Sequence, residues 1–149
     1  MRIDSHTHIW TLGAPPFPHN DEMSTARPEY PGLVEDLIRF MDLNNIDRTV
    51  LIQCMYHGYD NSYMCDALRR FPGRLHGVAL IDPLQPGAAD TLLRLRQEHG
   101  VQGMRLYPII DKDVWRERGE LLERNKARAS LLPCQQRLSF AMSGHHRLG

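Results

Sequence analysis

The amino-acid sequence predicts an α/β fold in which parallel strands alternate with helices, and two observations support this. Short strand-like segments and amphipathic helical segments alternate along residues 1–118, which is the order expected of a parallel sheet. The later strand segments are apolar throughout, as in a sheet covered on both faces or in a barrel. The 149 residues are enough for one domain with its own hydrophobic core.

Four strands are predicted from the spacing of apolar residues. Residues 2–9 alternate between two faces, one of which carries Asp4, His6 and His8. The continuous apolar runs at 49–54, 77–81 and 101–107 have the length of buried strands.

Three helices are predicted between these strands. The first has apolar residues at helical spacing from Leu33 to Met41 and ends near Asn44 and Asn45. The second begins at Asp60 or Asn61 and is stopped by Pro72 and Gly73. The third has its apolar stripe at Ala88, Leu92 and Leu95, with Gly100 just past its end.

The composition excludes several classes of function. There are 18 basic and 18 acidic residues, so no net charge draws the chain to nucleic acid or to an anionic membrane. Neither a membrane span nor a signal-peptide core is visible, which predicts a cytoplasmic protein. The cysteines Cys54, Cys65 and Cys134 are odd in number and are expected to be reduced thiols.

His6 and His8 are the strongest candidates for a functional site. Side chains at i and i+2 on a strand project from the same face, so both imidazoles can reach one metal ion or one substrate oxygen. Two histidines begin a metal site without completing it, since a catalytic zinc ion takes about three protein ligands. A polar strand face that happens to contain two histidines explains the same pattern.

Three segments resemble a known family in order and spacing: RIDSHTHIW, then VLIQCMYHGYDNSYMCDALRRFPGRLHGVALIDP, then GVQGMRLYP. They resemble the amidohydrolase superfamily, and within it the amidohydrolase-related group that includes 2-pyrone-4,6-dicarboxylate lactonases and sugar lactonases. The resemblance covers about residues 1–115. It implies a (β/α)8 barrel whose site lies at the carboxyl ends of the strands.

The resemblance also implies roles for individual residues. His6 and His8 match the first-strand pair that binds a divalent metal, zinc or manganese, in most of the superfamily. In the pyrone lactonase branch hydrolysis is thought not to need that metal, so the pair would then contact substrate. Arg105 is placed to bind a substrate carboxylate, although a salt bridge at the barrel end explains it equally well. His57 and Asn61 are expected to contact substrate from the loop after the second strand, although a turn or a helix cap explains Asn61 as well.

The resemblance covers only the amino-terminal half of such a barrel, because a full barrel needs about 250 residues. The expected division is a partial barrel domain at 1–115 and an atypical tail at 116–149, truncated or altered in reading frame, without a clear strand in 131–149. The family's later histidines and its general base, an aspartate on strand eight, have no matching positions. His145 and His146 lack a strand context and are not expected to replace them.

These features predict a hydrolase that opens a lactone or a similar cyclic ester of a small carboxylated or sugar-derived compound. This short chain is expected to be weakly active or inactive, because the general base is missing. One alternative is a metal-dependent carboxy-lyase of the same superfamily, and another is a non-catalytic remnant or interaction module. The exposed edges of a half-barrel also predict a homo-oligomer.

Overall fold

The computed structural model describes residues 1–106 and 139–142. Strands and helices alternate along this part of the chain, as predicted. The elements are β1 (Ile3–Thr7), α1 (Val34–Leu43), β2 (Arg48–Ile52), a 3₁₀ turn (Met55–His57), α2 (Ser62–Arg70), β3 (Leu75–Leu80), α3 (Ala88–His99), β4 (Gly103–Leu106) and β5 (Ser139–Met142).

The five strands form one sheet in the order β1-β2-β3-β4-β5, and every neighbouring pair is parallel. In the described part of the chain the sheet does not close on itself, so β1 and β5 are its two edges. The carboxyl ends of all the strands therefore lie along the same rim of the sheet. The parallel pairing predicted for the first four strands is confirmed.

The expectation that residues 131–149 contain no strand is wrong. Ser139–Met142 forms a strand that pairs in register with β4, from Gly103↔Ser139 to Leu106↔Met142. The edge of β4 offers a row of backbone donors and acceptors, and a short segment can pair with such an edge without a marked sequence pattern of its own. The end of the predicted domain near residue 115 and the histidines His145 and His146 lie outside the described residues.

The core lies between the sheet and the helices, and its largest fully buried side chains come from both. They are Met41, Leu51, Met64, Leu80, Leu92, Val34, Val101 and Thr49. Leu51 and Leu80 belong to the apolar runs that predicted strands, and Leu92 belongs to the predicted stripe of α3. Burying each apolar side chain of this set is worth about 1.5–3 kcal/mol, which makes this layer the main source of stability.

Helix ends occur where the sequence places residues that favour them. Asn45, just past α1, has a φ of 53°, in the left-handed region that asparagine tolerates better than most residues. Gly100 ends α3 with a φ of 72°, and its N–H donates to the Arg96 carbonyl. No helix among the described residues has the length and apolar character needed to cross a membrane.

A long loop joins β1 to α1 and is closed at its base by two residues. Trp10 and Gly32 exchange two backbone hydrogen bonds of 2.9 and 3.0 Å, and the Trp10 indole N–H donates to the Tyr30 carbonyl. A side chain at position 32 would place its Cβ 2.8 Å from the indole ring, so this close approach requires glycine. The loop is therefore anchored immediately beyond the end of β1.

Candidate functional site

The His6–His8 pair lies at the carboxyl end of β1, as the alternation of that strand predicts. The two Nε2 atoms are 3.1 Å apart, and the rings meet edge to face with their centroids 4.8 Å apart. His6 is exposed and His8 is half-buried. The structure therefore brings the two predicted ligands together at the rim of the sheet.

The backbone of β2 fixes the orientation and tautomer of His8. Its Nδ1–H donates to the Ile52 carbonyl at 2.6 Å, and because a carbonyl only accepts, the proton must be on Nδ1. In the neutral ring the lone pair is then on Nε2, the atom that faces His6. Metal-binding histidines are commonly oriented by such a bond from the ring nitrogen that does not bind the metal.

The surroundings of His8 favour its neutral form. Burial lowers the pKa of His8 below its ordinary value, and the bond to Ile52 opposes this shift. The positive charge of Arg105 and the neighbouring His6 lower that pKa further. A neutral imidazole is the form that binds a metal ion or accepts a proton.

The two histidines fit part of a zinc-type ligand set. In a tetrahedral zinc site with Zn–N bonds of 2.0–2.1 Å, two ligand nitrogens lie about 3.3 Å apart. The 3.1 Å separation of the Nε2 atoms is close to this value. No group of three or more histidine, cysteine, aspartate or glutamate side chains converges among residues 1–106, so the described part of the chain supplies an incomplete set.

Arg105 brings a buried positive charge to the same rim from β4. Arg105 is only 8% exposed, and its Nη1–H donates to the backbone carbonyl of Gln53 at 2.9 Å. Arg105 is close enough to His8 and to Cys54 to influence the pKa of both. The rim thus combines two imidazoles with one guanidinium.

The structure gives His57 an internal role. The residue is 2% exposed, its Nδ1–H donates to the Pro18 carbonyl at 2.9 Å, and its Nε2 accepts from the Thr11 N–H at 3.1 Å. Both ring nitrogens are thus occupied within the protein. Substrate contact by His57 stays a prediction that this arrangement does not favour.

Asn61 is likewise occupied by the backbone. Its Nδ2–H group donates to the carbonyls of Tyr59 and Leu80, each at 2.9 Å, and its Oδ1 accepts from the Leu80 N–H at 3.0 Å. It precedes α2 without a side-chain cap bond, and the Asp60 carboxylate accepts from the Ser62 N–H instead. Substrate contact by Asn61 also stays a prediction without support from this geometry.

Gln53 and Cys54 also lie at the rim, a position that was not predicted for either residue from the sequence. The Gln53 side-chain amide donates to the backbone carbonyls of Gly58 and Asp60. The backbone carbonyl of Gln53 accepts from Arg105. The Cys54 thiol donates to the Ile9 carbonyl at 3.3 Å. A glutamine at the end of an apolar strand was the available signal, because a buried amide must find partners.

Two open clefts of about 450 Å³ lie away from this rim group. One lies between α2 and α3, and the other lies beside the end of β3. Neither cleft is lined by His6, His8 or Arg105. The clefts therefore do not contain the histidine pair.

The sequence profile of the Amidohydrolase family matches residues 3–131. The chain belongs to the amidohydrolase family. A structure from Acinetobacter baumannii, assigned as a 2-pyrone-4,6-dicarboxylic acid hydrolase and solved with citric acid bound, is 25% identical with a TM-score of 0.64. The alignment covers 95% of this chain and 56% of that one.

Two further solved structures are similar to this chain. One from Pseudomonas putida, with the same hydrolase assignment, is 30% identical with a TM-score of 0.52, over 70% of this chain and 36% of that one. One from Burkholderia multivorans, solved with zinc, has a TM-score of 0.67 at 15% identity, covers 94% and 48% of the two chains, and supports the fold alone.

The amidohydrolase chain spans about half the length of the solved structures that it matches. Those structures are TIM-barrel amidohydrolases, and the open parallel sheet corresponds to the amino-terminal half of such a barrel. In a TIM barrel the site lies at the carboxyl ends of the strands. The histidine pair and Arg105 lie at that end.

Proposed function

We propose that this amidohydrolase acts on a lactone or a similar cyclic ester of a small carboxylated compound. The observation that carries the proposal is the convergence of the His6 and His8 Nε2 atoms, 3.1 Å apart, on a rim that also holds Arg105. The similarity to structures assigned as 2-pyrone-4,6-dicarboxylic acid hydrolases, one of them with citric acid bound, supports a carboxylated ring as the substrate.

His6 and His8 would hold a divalent metal ion, zinc or manganese, through their Nε2 atoms. A metal ion bound there would polarise the ester carbonyl and lower the pKa of a water molecule to near 7. The bond from His8 to the Ile52 carbonyl keeps the Nε2 lone pair directed at His6 before any ion binds. If the chemistry proceeds without a metal, the same two imidazoles face the substrate oxygen.

Arg105 would orient the substrate by its carboxylate. A guanidinium can bind a carboxylate through two parallel hydrogen bonds, which fixes both the position and the plane of the ring. The bond from Arg105 to the Gln53 carbonyl holds the side chain at the rim, and the burial of Arg105 strengthens its electrostatic attraction for an anion.

The reaction also needs a group that takes a proton from the attacking water. The family places this base on strand eight, for which the sequence offers no matching position. A general base contributes about 10²–10⁴-fold to the rate, so the 149-residue chain should hydrolyse lactones at or near the background rate while still binding the substrate.

The proposal is tested by binding and by product analysis. Binding of 2-pyrone-4,6-dicarboxylate is compared with that of unsubstituted 2-pyrone and a sugar lactone, each with and without zinc or manganese. We expect the dicarboxylate to bind at least about tenfold more tightly, and Arg105→Met to remove this preference. Equal binding of the three rings, or a preference that survives Arg105→Met, would refute the carboxylate role.

Product analysis separates hydrolysis from decarboxylation. A longer protein that carries this amino-terminal half is incubated with the dicarboxylate. A ring-opened acid supports the hydrolase, whereas released carbon dioxide supports the metal-dependent carboxy-lyase of the same superfamily. The Arg105→Met variant of that protein is the matched control, because it keeps both histidines.

A further inference from the structure

His57 makes two hydrogen bonds that differ in kind and in partner. Its Nδ1–H donates to the Pro18 carbonyl at 2.9 Å, and its Nε2 accepts from the Thr11 N–H at 3.1 Å. A carbonyl only accepts and an amide N–H only donates, so together they require a neutral imidazole with its proton on Nδ1. The ring is 2% exposed, which shields both bonds from water.

The bond to Thr11 acts on the backbone that leaves β1. The last residue of β1 in register with β2 is Thr7, opposite Leu51. Beyond it, the Ile9 carbonyl accepts from the Cys54 thiol, and the Thr11 N–H donates to His57. The segment that follows β2 is therefore hydrogen-bonded to the segment that follows β1. His8 directly precedes the first of these bonded residues, Ile9.

The bond to Pro18 acts on a different part of the structure. Pro18 belongs to the β1–α1 loop, which the Asn20 N–H also attaches to the Tyr56 carbonyl at 2.7 Å. Losing the Pro18 bond would therefore leave the loop attached through Asn20. No second bond from the segment 53–58 to the Thr11 N–H is present in the described residues.

We propose that His57 is a positioning residue for the His6–His8 pair and acts through its bond to the Thr11 N–H. Together with the Trp10–Gly32 bridge, this bond sets the exit of the backbone from β1 and thereby the separation of the two Nε2 atoms, and His57 does so without touching substrate. The expected effect of His57 on zinc affinity rests on the proposed function of the His6–His8 pair. Its expected effect on the distance between the two rings in the metal-free protein does not rest on that function.

Two amide substitutions separate the two bonds. In His57→Gln the side-chain oxygen reaches about as far as Nε2 and can accept from Thr11. In His57→Asn the shorter amide lies near the position of Nδ1, so its NH₂ group can donate to the Pro18 carbonyl but no side-chain atom reaches the Thr11 N–H. The two variants match in polarity and hydrogen-bonding groups, so they differ mainly in which bond is retained.

The first measurement is the affinity of the full 149-residue chain for zinc, determined by isothermal titration calorimetry. We expect His57→Gln to bind zinc within about threefold of the parent. His57→Asn should bind about tenfold more weakly, at the lower end of the roughly 10–100-fold loss seen when groups that orient metal ligands are removed. His99→Gln, on the exposed end of α3, is the control for adventitious binding. Equal losses in the two His57 variants would overturn the proposal.

The second measurement uses the metal-free protein and distinguishes failure of this proposal from failure of the metal site. Long-range ¹H–¹⁵N spectra of the parent should show His57 with its proton on Nδ1. The ring-proton contacts between His6 and His8 should persist in His57→Gln and weaken in His57→Asn, with the Thr11 amide exchanging at least about tenfold faster. A proton on Nε2, or unchanged exchange in the Asn variant, would refute the positioning role even if zinc binds. If the parent binds no zinc but these spectra agree, only the metal proposal fails.

Discussion

The side chain of Asn61 pairs with the backbone of Leu80 as a peptide unit of a neighbouring strand would. Its Nδ2–H donates to the Leu80 carbonyl at 2.9 Å, and its Oδ1 accepts from the Leu80 N–H at 3.0 Å. The β2–β3 register ends two residues earlier, at Ile52↔Val78. A side chain therefore continues the hydrogen-bonding ladder and ties the start of α2 to the carboxyl end of β3.

Replacing Asn61 with aspartate should destabilise the protein strongly. The carboxylate has nearly the same shape, but at neutral pH it cannot donate to the carbonyls of Leu80 and Tyr59 and would carry an uncompensated charge into a buried site. We expect the free energy of unfolding in urea at pH 7 to fall by about 2–4 kcal/mol.

Asn44→Asp is the control for this prediction. Asn44 also donates from its side chain to a backbone carbonyl, that of Phe40, but it is exposed. Its replacement should cost no more than about 1 kcal/mol. If the free energy of unfolding falls equally in both aspartate variants, the pairing of Asn61 with Leu80 does not contribute the expected stability.

His8 should make the stability of the protein depend on pH. Its pKa is lowered in the folded state, chiefly by burial, from a reference of 6.5 in the unfolded chain. The unfolded chain therefore takes up the proton first. The contribution of His8 is fully present above about pH 6.5 and is lost as the pH falls through the lower folded-state pKa.

His8→Asn and His8→Leu separate the proton from the hydrogen bond. Both remove the titrating group, so both should reduce the dependence of the unfolding free energy on pH between about 7 and 5. Asparagine retains a donor for the Ile52 carbonyl, so only the leucine variant should also lose stability at pH 7. A pH dependence unchanged in both variants would contradict the lowered pKa.

Both described cysteines should resist thiol reagents while the protein is folded. Cys54 and Cys65 are free and buried, as expected from the odd number of cysteines. Burial raises the pKa of both thiols, that of Cys65 to about 11, so at pH 8 only about one Cys65 in a thousand is the reactive thiolate.

Alkylation with iodoacetamide, followed by mass spectrometry, tests this expectation. Using Cys134→Ser as the parent restricts the signal to the two described thiols. In the folded protein at pH 8, neither thiol should be alkylated within the time that is needed to alkylate both thiols in urea. Rapid alkylation of the folded protein would show that the segment carrying the modified thiol opens readily.

The order of elements could be predicted because it depends on local patterns. The apolar runs give β2 to β4, and Asn45 and Gly100 end helices through their own backbone preferences. Strand β5 could not be predicted, because it forms by pairing with β4 across more than thirty intervening residues, from Gly103↔Ser139 onward. Edge pairing of that kind leaves little trace in a short sequence.

In the candidate site, too, local features could be predicted from the sequence, whereas contacts between distant residues could not. The i, i+2 spacing of His6 and His8 implies convergence, and the structure shows it. The partners of His57 lie 46 and 39 residues earlier in the chain, at Thr11 and Pro18. Whether a histidine faces a substrate or the backbone depends on such distant partners, so the sequence pattern alone could not decide between the two roles.

The edge of β1 that has no neighbouring strand among the described residues should cause self-association through a second copy of this chain. Within residues 1–106 and 139–142, β1 pairs only with β2. Ile3 on β1 is 50% exposed, and Phe40 and Leu43 on α1 are 53% and 76% exposed. The Arg2 guanidinium donates to the Asn44 carbonyl and so joins the start of β1 to the end of α1. Apolar surface beside an unpaired strand favours association between copies.

Size-exclusion chromatography with light scattering should show a molar mass that rises with concentration. Leu43→Glu should shift this rise to about tenfold higher concentration, because a charge would have to be buried at the contact. Leu12→Glu is the matched control, since Leu12 is also exposed but follows the other end of β1. A constant monomer mass in the parent would contradict the expectation.

The Trp10–Gly32 bridge has a consequence for how this protein can tolerate change in chain length. Because the two ends of the intervening loop are joined by backbone bonds of 2.9 and 3.0 Å, residues added at its exposed tip do not alter the distance that the chain spans at the sheet. Closing a longer loop costs only about 0.6 kcal/mol for each doubling of its length. The exposed tip of this loop is thus suited to insertions, which can place new residues beside the rim while β1 and β2 keep their register.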